Sequence, residues 1–578
     1  MFSNYDYDVI IIGGGISGLF LAYKLSDTDL KIILIESKDS LGGRVKTIQQ
    51  KNLSFEAGAA RFHSSHSKLI TLINDLNLED DIINLPDEIS TKLPKKSKVS
   101  LKDLLKEASS QQKNYKIDFL KNITFFQYLV TIFDFDTAEF IQESFGYDAE
   151  FIHLNAHAAL SMFEDDFFKD NDYYILKDGL SSIINEIERQ LQFKSNILIK
   201  KNCTITGIEK DHIITDKKDK FNYDHLICSV PQKTLLSFNF FKENDIQNII
   251  QSVTPIPLLR IYAKYPTKKL WFKNIKRTIT NNYIRQIIPI DYKTGLIMIS
   301  YTDDKYAEMW DKYNIATKTN EFGDDYLITA LHKEIKELFN IEPPNPEFIS
   351  VNYWSEGVHF WKTGYDLNET SEEIIKPYND KEIYICGEAY SKKQGWIEGA
   401  LETCYQVLQK LPLGLRVVTD KEFCEMDEKI LIQLENKEDI PKEDIPKEED
   451  IPKEDILKEE DILKEEDILK EEGKYTIDEV IDKMDNENKE WIIIEMDKEK
   501  VIYDISKWIP QHPGGSVIYN GIEANRHYKD KDLYPQSPTQ LFSNIPNHKM
   551  EGSDGKTAFQ KYFLNKNDFV IRIGVLIS

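Results

Sequence analysis

The strongest order in this chain is a change of apolar period near its start. Asp8 to Ile12 is a short, almost unbroken apolar run that ends on Gly13-Gly14-Gly15-Ile16-Ser17-Gly18. A run of that kind predicts a strand covered on both faces. Leu19 to Leu25 reads as the opening of a helix, and Lys31 to Ile35 as a second strand that ends at Glu36. Strand and helix signals keep alternating to about residue 412, which predicts an α/β body. After residue 473, mixed strands and short helices predict a small α+β module.

Between them the pattern collapses into charge. EDIPK repeats give way to three copies of DILKEE, and Lys437 to Glu472 holds 7 Lys against 17 Asp plus Glu. A coiled coil is the competing reading. At about 100° per residue, a six-residue period turns the Ile-Leu pair by about 120° per copy, so no single apolar stripe forms. Pro441, Pro446 and Pro452 break the first half. A charged linker over 413–473, extended or partly helical, is predicted.

The bulk properties narrow the function. A chain of 578 residues is expected to form two or more domains. A formal charge of −25 with no basic cluster argues against a nucleic-acid partner. Cys203, Cys228, Cys386, Cys404 and Cys424 are scattered and never spaced as CxxC, so neither a disulfide framework nor a zinc site is expected. Met1 to Tyr7 does not read as a signal peptide, and no run reaches eighteen apolar residues. A soluble cytoplasmic protein without a membrane span is expected. The abundance of Ile, Lys, Asn and Asp suits an AT-rich genome, and packaging in a virion is the alternative if the source is a large DNA virus.

The glycine run has a physical logic. Gly13 allows a tight turn, Gly15 lets backbone approach a pyrophosphate, and Gly18 lets helix and strand pack closely. Ser17 stands in the first helical turn, where the helix N-terminus favours phosphate charge. Glu36 follows Gly18 by 18 residues and suits a ribose hydroxyl. Together these predict dinucleotide binding.

Ser40-Leu41-Gly42-Gly43-Arg44 resembles the second glycine motif of the flavin-containing amine oxidase family, which includes monoamine, polyamine and L-amino-acid oxidases. The resemblance implies FAD, with Gly43 and Arg44 along its phosphate and sugar region. Phe55-Glu56-Ala57-Gly58-Ala59-Ala60-Arg61-Phe62 is similar to the segment beneath the flavin ring. It implies cofactor contacts at Ala60 and Arg61, and in Arg61 a holder for a substrate carboxylate. Thr204 to Ile208 and Tyr223 to Pro231 resemble the adenine-side strands, with Ile205 touching adenine through its backbone. Gly387-Glu388 implies a bond to a ribityl hydroxyl. Gly395-Trp396-Ile397-Glu398-Gly399-Ala400 implies amides and an aromatic wall against the isoalloxazine, from Trp396 and Ile397.

The implied fold is a Rossmann-like FAD-binding domain (about 1–75, 170–240 and 375–412) with an interleaved substrate domain (about 76–169 and 241–374). The implied reaction moves a hydride from the α-carbon of a neutral amine or amino acid to flavin N5 and leaves an imine for water to hydrolyse. A dry aromatic pocket disfavours the ammonium form. Trp396 is expected as one wall, and Trp361, from Tyr353 to Trp361, as the other. The family's usual lysine is replaced by Arg260, which stays cationic and is a poor proton relay. No cysteine lies between Trp354 and Tyr365, so FAD is expected to be noncovalent.

Tyr475 to Val480, Trp491 to Ile494, Val501 to Ile505 and His512-Pro513-Gly514-Gly515 resemble cytochrome b5. This implies heme b with His512 as one axial ligand. His548, 36 residues on, is expected as the second, with His527, 15 residues on, as the alternative. Electrons would pass to O2, another redox partner or the fused heme. Two other readings stay open: an FAD-dependent desaturase or isomerase of a non-amine substrate, and a catalytically silent flavoheme structural protein.

Overall fold

The opening apolar run becomes the central strand of a mostly parallel sheet. The protein is described by a computed structural model that covers residues 4–414, except 51, 86–88, 95–96, 98, 167, 169–171 and 320–324, together with 473–475, 480, 491–496, 499–504 and 571–576. The strand Asn4–Ile12 lies parallel between Ile32–Ile35 and Lys220–Cys228, with Ile11 opposite Leu34 on one side and Ile227 on the other. Ile197–Lys200 extends the sheet beyond Ile32–Ile35. The far edge of Lys220–Cys228 is shared. Its first half pairs antiparallel with His212–Thr215, and its second half pairs parallel with Ile383–Ile385. Ile205–Ile208 completes the order.

Val9 to Ile12 and Ile32 to Ile35 are all buried, which accounts for their lack of polar alternation. Leu19, Phe20 and Ala22 of the helix Ile16–Leu25 share one core with Ile183 and Ile187 of Ser181–Leu191, and with Leu401 and Tyr405 of Ile397–Lys410. Three segments remote in sequence thus pack into one layer.

A second, six-stranded sheet runs in the order Phe348–Trp361, Val253–Lys264, Leu296–Asp303, Gln286–Asp291, Arg277–Thr280 and Ile89–Lys92. It is antiparallel except at its last pair. In the long first pair, Ile256 faces Val358 but Leu258 faces Trp354, so Ser355, Glu356 and Gly357 bulge out. A Cβ on Gly357 would come within 2.6 Å of Leu258, so the bulge requires glycine there. Short helices, several of them capped by side chains, fill 101–166. Ser100 accepts the amide hydrogen of Asp103, Thr124 and Gln127 form a capping box, and Asp134 accepts from Thr137. The last of them, Ala156–Asp166, ends on an acidic residue that matters below.

The chain divides into two compact units, Met1–Ile445 and Pro446–Ser578. In the second, four strands run in the order Gly473–Tyr475, Ile571–Leu576, Glu499–Asp504 and Trp491–Met496. The last two form an antiparallel hairpin from segments expected to be strands. The acidic repeat and His512, His527 and His548 lie outside the described residues. Among the described residues, no helix is long and apolar enough to cross a membrane.

Candidate active site

The glycine loop has the geometry its spacing predicts. Gly13 has φ +106°, and a Cβ on Gly18 would lie 2.0 Å from the Gly13 carbonyl, so helix and strand meet without room for a methyl group. A Cβ on Gly15 would meet no heavy atom within 4 Å. The helix behind it has no side-chain cap and no acidic residue in its first turn. Its forward amides therefore suit an anion. Ser17 is buried there, and its carbonyl accepts the Cys404 thiol at 3.5 Å. At the end of the second strand, Glu36 Oε2 accepts the Gly14 amide hydrogen at 2.7 Å. The Glu36 carbonyl accepts from Cys203 N at 3.0 Å, which ties the segment leading to Ile205 to the same corner.

The second glycine motif docks on the first, with Gly42 N donating to Gly14 O at 2.8 Å and the Gly43 backbone at φ +58°. A Cβ on Gly58 would lie 1.8 Å from the Arg44 carbonyl, and Ala59 N donates to that carbonyl, so the 57–61 segment carrying Ala60 lies directly against the motif. Arg44 itself donates to the Gly357 carbonyl at 3.0 Å and to Glu388 Oε2 at 2.6 Å. The bulge thus brings Gly357 within reach of Arg44.

Glu388 is the hub. Its Oε1 accepts the amide hydrogens of His359 at 3.1 Å and Gly395 at 2.9 Å, and its Oε2 also contacts His359 Nδ1 at 3.1 Å. Burial alone would raise its pKa, but Arg44, His359 and the Gly395 amide outweigh it and hold the carboxyl at about 2. On the far side of the His359 ring, Nε2 lies 3.6 Å from Glu356 Oε2. Glu356 is half-buried, which raises its pKa, but His359 and the Lys233 amide bring it below its ordinary value. No sequence spacing announces this buried imidazole between two carboxylates, because only the bulge aims Glu356 at the ring.

Gly387 and Gly395, at φ +135° and +84°, also have open space where a Cβ would stand. Trp396, next along the chain, is half-buried, and Ile397 is buried at the start of the final helix. The Trp396 indole N–H donates to Asp166 Oδ2 at 2.8 Å, and its ring meets His63 and His66 edge-on with centroids 5.2 and 4.7 Å away. Both imidazoles are fully buried, and burial with the neighbouring His63 keeps His66 neutral. Buried Glu398 accepts the amide hydrogens of Lys68 and Leu69, anchoring the helix that follows His66.

Arg260 is 9 % exposed and donates to the Glu56 carbonyl and the Tyr301 hydroxyl, both at 3.2 Å. Its guanidinium carbon lies 4.5 Å from the Tyr301 ring centroid, and Tyr262 donates to the same Glu56 carbonyl. These contacts make it a fixed clamp on the 55–62 segment. Arg61 lies over Tyr173 at 4.8 Å, and Tyr147 packs on Tyr301. The expectation for Trp361 needs correcting. Only 1 % of it is exposed, and its indole N–H donates to the Ser391 carbonyl, so it offers no free ring face. Half-buried aromatics in this region include Tyr147, Tyr173, Tyr301, Trp354 and Trp396.

The family model for flavin-containing amine oxidoreductases matches residues 16–120 and 115–407, more than half of the chain. The chain belongs to this family. It is therefore an FAD-dependent oxidoreductase with a mixed α/β fold, and the open glycines, the uncapped helix and the Arg44–Glu388 pair fit that cofactor. An uncharacterised protein of Acanthamoeba polyphaga mimivirus is 24% identical to this flavin oxidoreductase over 481 residues, covering 70% of this chain and 94% of its own. A probable polyamine oxidase of Arabidopsis thaliana is 23% identical over 442 residues, with 69% and 85% covered. Amine oxidase B of Cavia porcellus is 34% identical over 82 residues, only 16% of its length. A double mutant of putrescine oxidase shares the fold at a TM-score of 0.55 and 13% identity, covering 74% of this chain and all of that one.

Proposed function

We propose that this flavin oxidoreductase oxidises an amine or amino acid, with noncovalent FAD as hydride acceptor and O2 as an electron sink. One observation carries the reading. Trp396 stands half-buried at the rim of the glycine cradle, directly after Gly395, whose amide is fixed by Glu388. Bound FAD supplies the two-electron chemistry. Gly15, Ser17, Gly18 and the helix N-terminus would hold the pyrophosphate, Glu36 a ribose, Ile205 the adenine, and Gly43, Arg44, Ala60, Gly387, Glu388 and Ile397 the remainder of the cofactor. Trp396 and the tyrosines would form a poorly hydrated wall that favours the neutral amine. The names of the plant and putrescine oxidases support an amine substrate. The half-buried guanidinium of Arg61 on Tyr173 favours an α-amino acid, whose carboxylate it would bind. Arg260 keeps its charge at all working pH and serves as a clamp, not a proton relay.

For the C-terminal unit, the motif around His512 supports heme b with His548 as second ligand. The mimivirus relative is compatible with virion packaging.

The test is anaerobic stopped-flow of the full chain with polyamines, monoamines and amino acids. Flavin bleaching by one of these classes is expected, and a reduced Soret band in the same trace would report the heme. A flavin that stays oxidised with every amine refutes the substrate class and directs the search to polyene or porphyrinogen substrates. A spectrum without a Soret band removes the heme.

A further inference from the structure

Where the site wall passes behind Trp396, two imidazoles and a carboxylate converge. One ligand atom each from His63, His66 and Asp166 lies within 4.8 Å of the other two. The backbone fixes both rings. His63 sits in the two-residue strand Phe62–His63 paired with Tyr173–Leu176, and the tight turn after it closes with His66 N donating to the His63 carbonyl at 2.9 Å. Each ring has one nitrogen engaged. His63 Nδ1 contacts Ser65 Oγ at 3.0 Å, and His66 Nδ1 accepts the His63 amide hydrogen at 3.4 Å. The other nitrogen of each, Nε2, has no hydrogen-bond partner although both side chains are wholly buried. A buried polar atom without a partner costs about 1–3 kcal/mol, and two in adjoining rings call for a common ligand.

We infer that the protein carries a divalent transition-metal site formed by His63 and His66 with Asp166. Two imidazoles and one carboxylate suit zinc or ferrous iron and not the oxygen-only sites of magnesium or calcium. Metal–ligand distances of about 2.1 Å set neighbouring donors about 3.4 Å apart in a tetrahedral site. His63 Nε2 and Asp166 Oδ1 are already 3.5 Å apart, and with all three ligand atoms within 4.8 Å of one another at most about 1.4 Å remains to close on binding. The supports such a site needs are in place: Ser65 on the far nitrogen of His63, and the Trp396 indole on the second oxygen of Asp166. Lys393 is the opposing charge felt at His66, and buried Glu398 and half-buried Glu402 answer it. Three protein ligands leave a fourth position for water or a lone-pair donor of a substrate, beside the aromatic wall.

The test is metal content, so it stands apart from oxidase turnover. The full chain and its His63→Ala/His66→Ala variant are stripped with chelator, dialysed against zinc sulfate, passed through a chelating resin and measured by inductively coupled plasma mass spectrometry. The wild type is expected to retain one zinc more than the variant, which cancels metal held by any other histidine. Zinc-edge absorption spectra should show two imidazoles in the difference. Equal zinc in both proteins, or none in either, overturns the site and leaves His63 and Asp166 as a plain side-chain contact. Should the double variant fail to fold, His66→Gln, which keeps a polar side chain of similar length, provides the same comparison.

Discussion

Replacing Glu388 by Gln tests the central electrostatic claim about the cofactor cradle. The carboxylate is almost wholly buried and faces Arg44, His359 and two backbone amides, and its pKa falls from 4.5 to about 2. A shift of that size corresponds to about 3 kcal/mol in favour of the ionised folded form. Because the folded pKa is depressed, the contribution is complete above about pH 4.5 and is lost as pH falls towards 2. Glu388→Gln should therefore lower unfolding free energy by about 3 kcal/mol at pH 7 and by only about 1 kcal/mol at pH 3, where the wild type has lost most of the same term. Urea unfolding of the full chain, followed by tryptophan fluorescence at both pH values, measures the difference. A variant as stable as wild type at pH 7, or a deficit equal at both pH values, refutes the reasoning.

Four further substitutions probe other parts of the protein. Gly15→Ala meets open space and keeps an ordinary backbone conformation, so it should fold normally yet bind FAD at least about tenfold more weakly, by roughly 1.4 kcal/mol. Gly18→Ala forces a methyl group to 2.0 Å from the Gly13 carbonyl and should lose the fold itself. Circular dichroism and the ratio of flavin to protein absorbance separate the two. Burial, then the neighbouring Asp148, push the Asp303 carboxyl up to about 7, despite the Ala149 amide and Arg285. That raised value makes stability greatest at low pH and lost as pH rises through about 7, so Asp303→Asn should flatten the pH dependence of unfolding between about pH 4 and 7. Arg260→Lys should retain FAD but add an alkaline limb to the pH–rate profile, since lysine can lose its proton and arginine cannot. A profile unchanged from wild type would mean that the charge at this position does not bear on turnover.

The parts of this protein whose reasons are local are legible in the order of its residues. Gly13, Gly15 and Gly18 announce a turn, an open approach and a close packing through spacing alone, and the structure realises each through backbone geometry. The buried strands Asn4–Ile12 and Ile32–Ile35 are legible because burial on both faces removes polar alternation. Tertiary structure decided whatever depends on register and on contacts between distant segments. Trp361 looks like a cage residue in a one-dimensional reading, and its strand register turns it into the core. His359 gains its two carboxylates because a three-residue bulge aims Glu356 while Glu388 arrives from another sheet edge. Asp166 reaches His63 from the end of a helix more than a hundred residues along the chain, and no periodicity encodes that meeting. Local backbone chemistry is written at short range, whereas the charge and ligand environment of a buried side chain is set by whichever remote segments the fold packs against it.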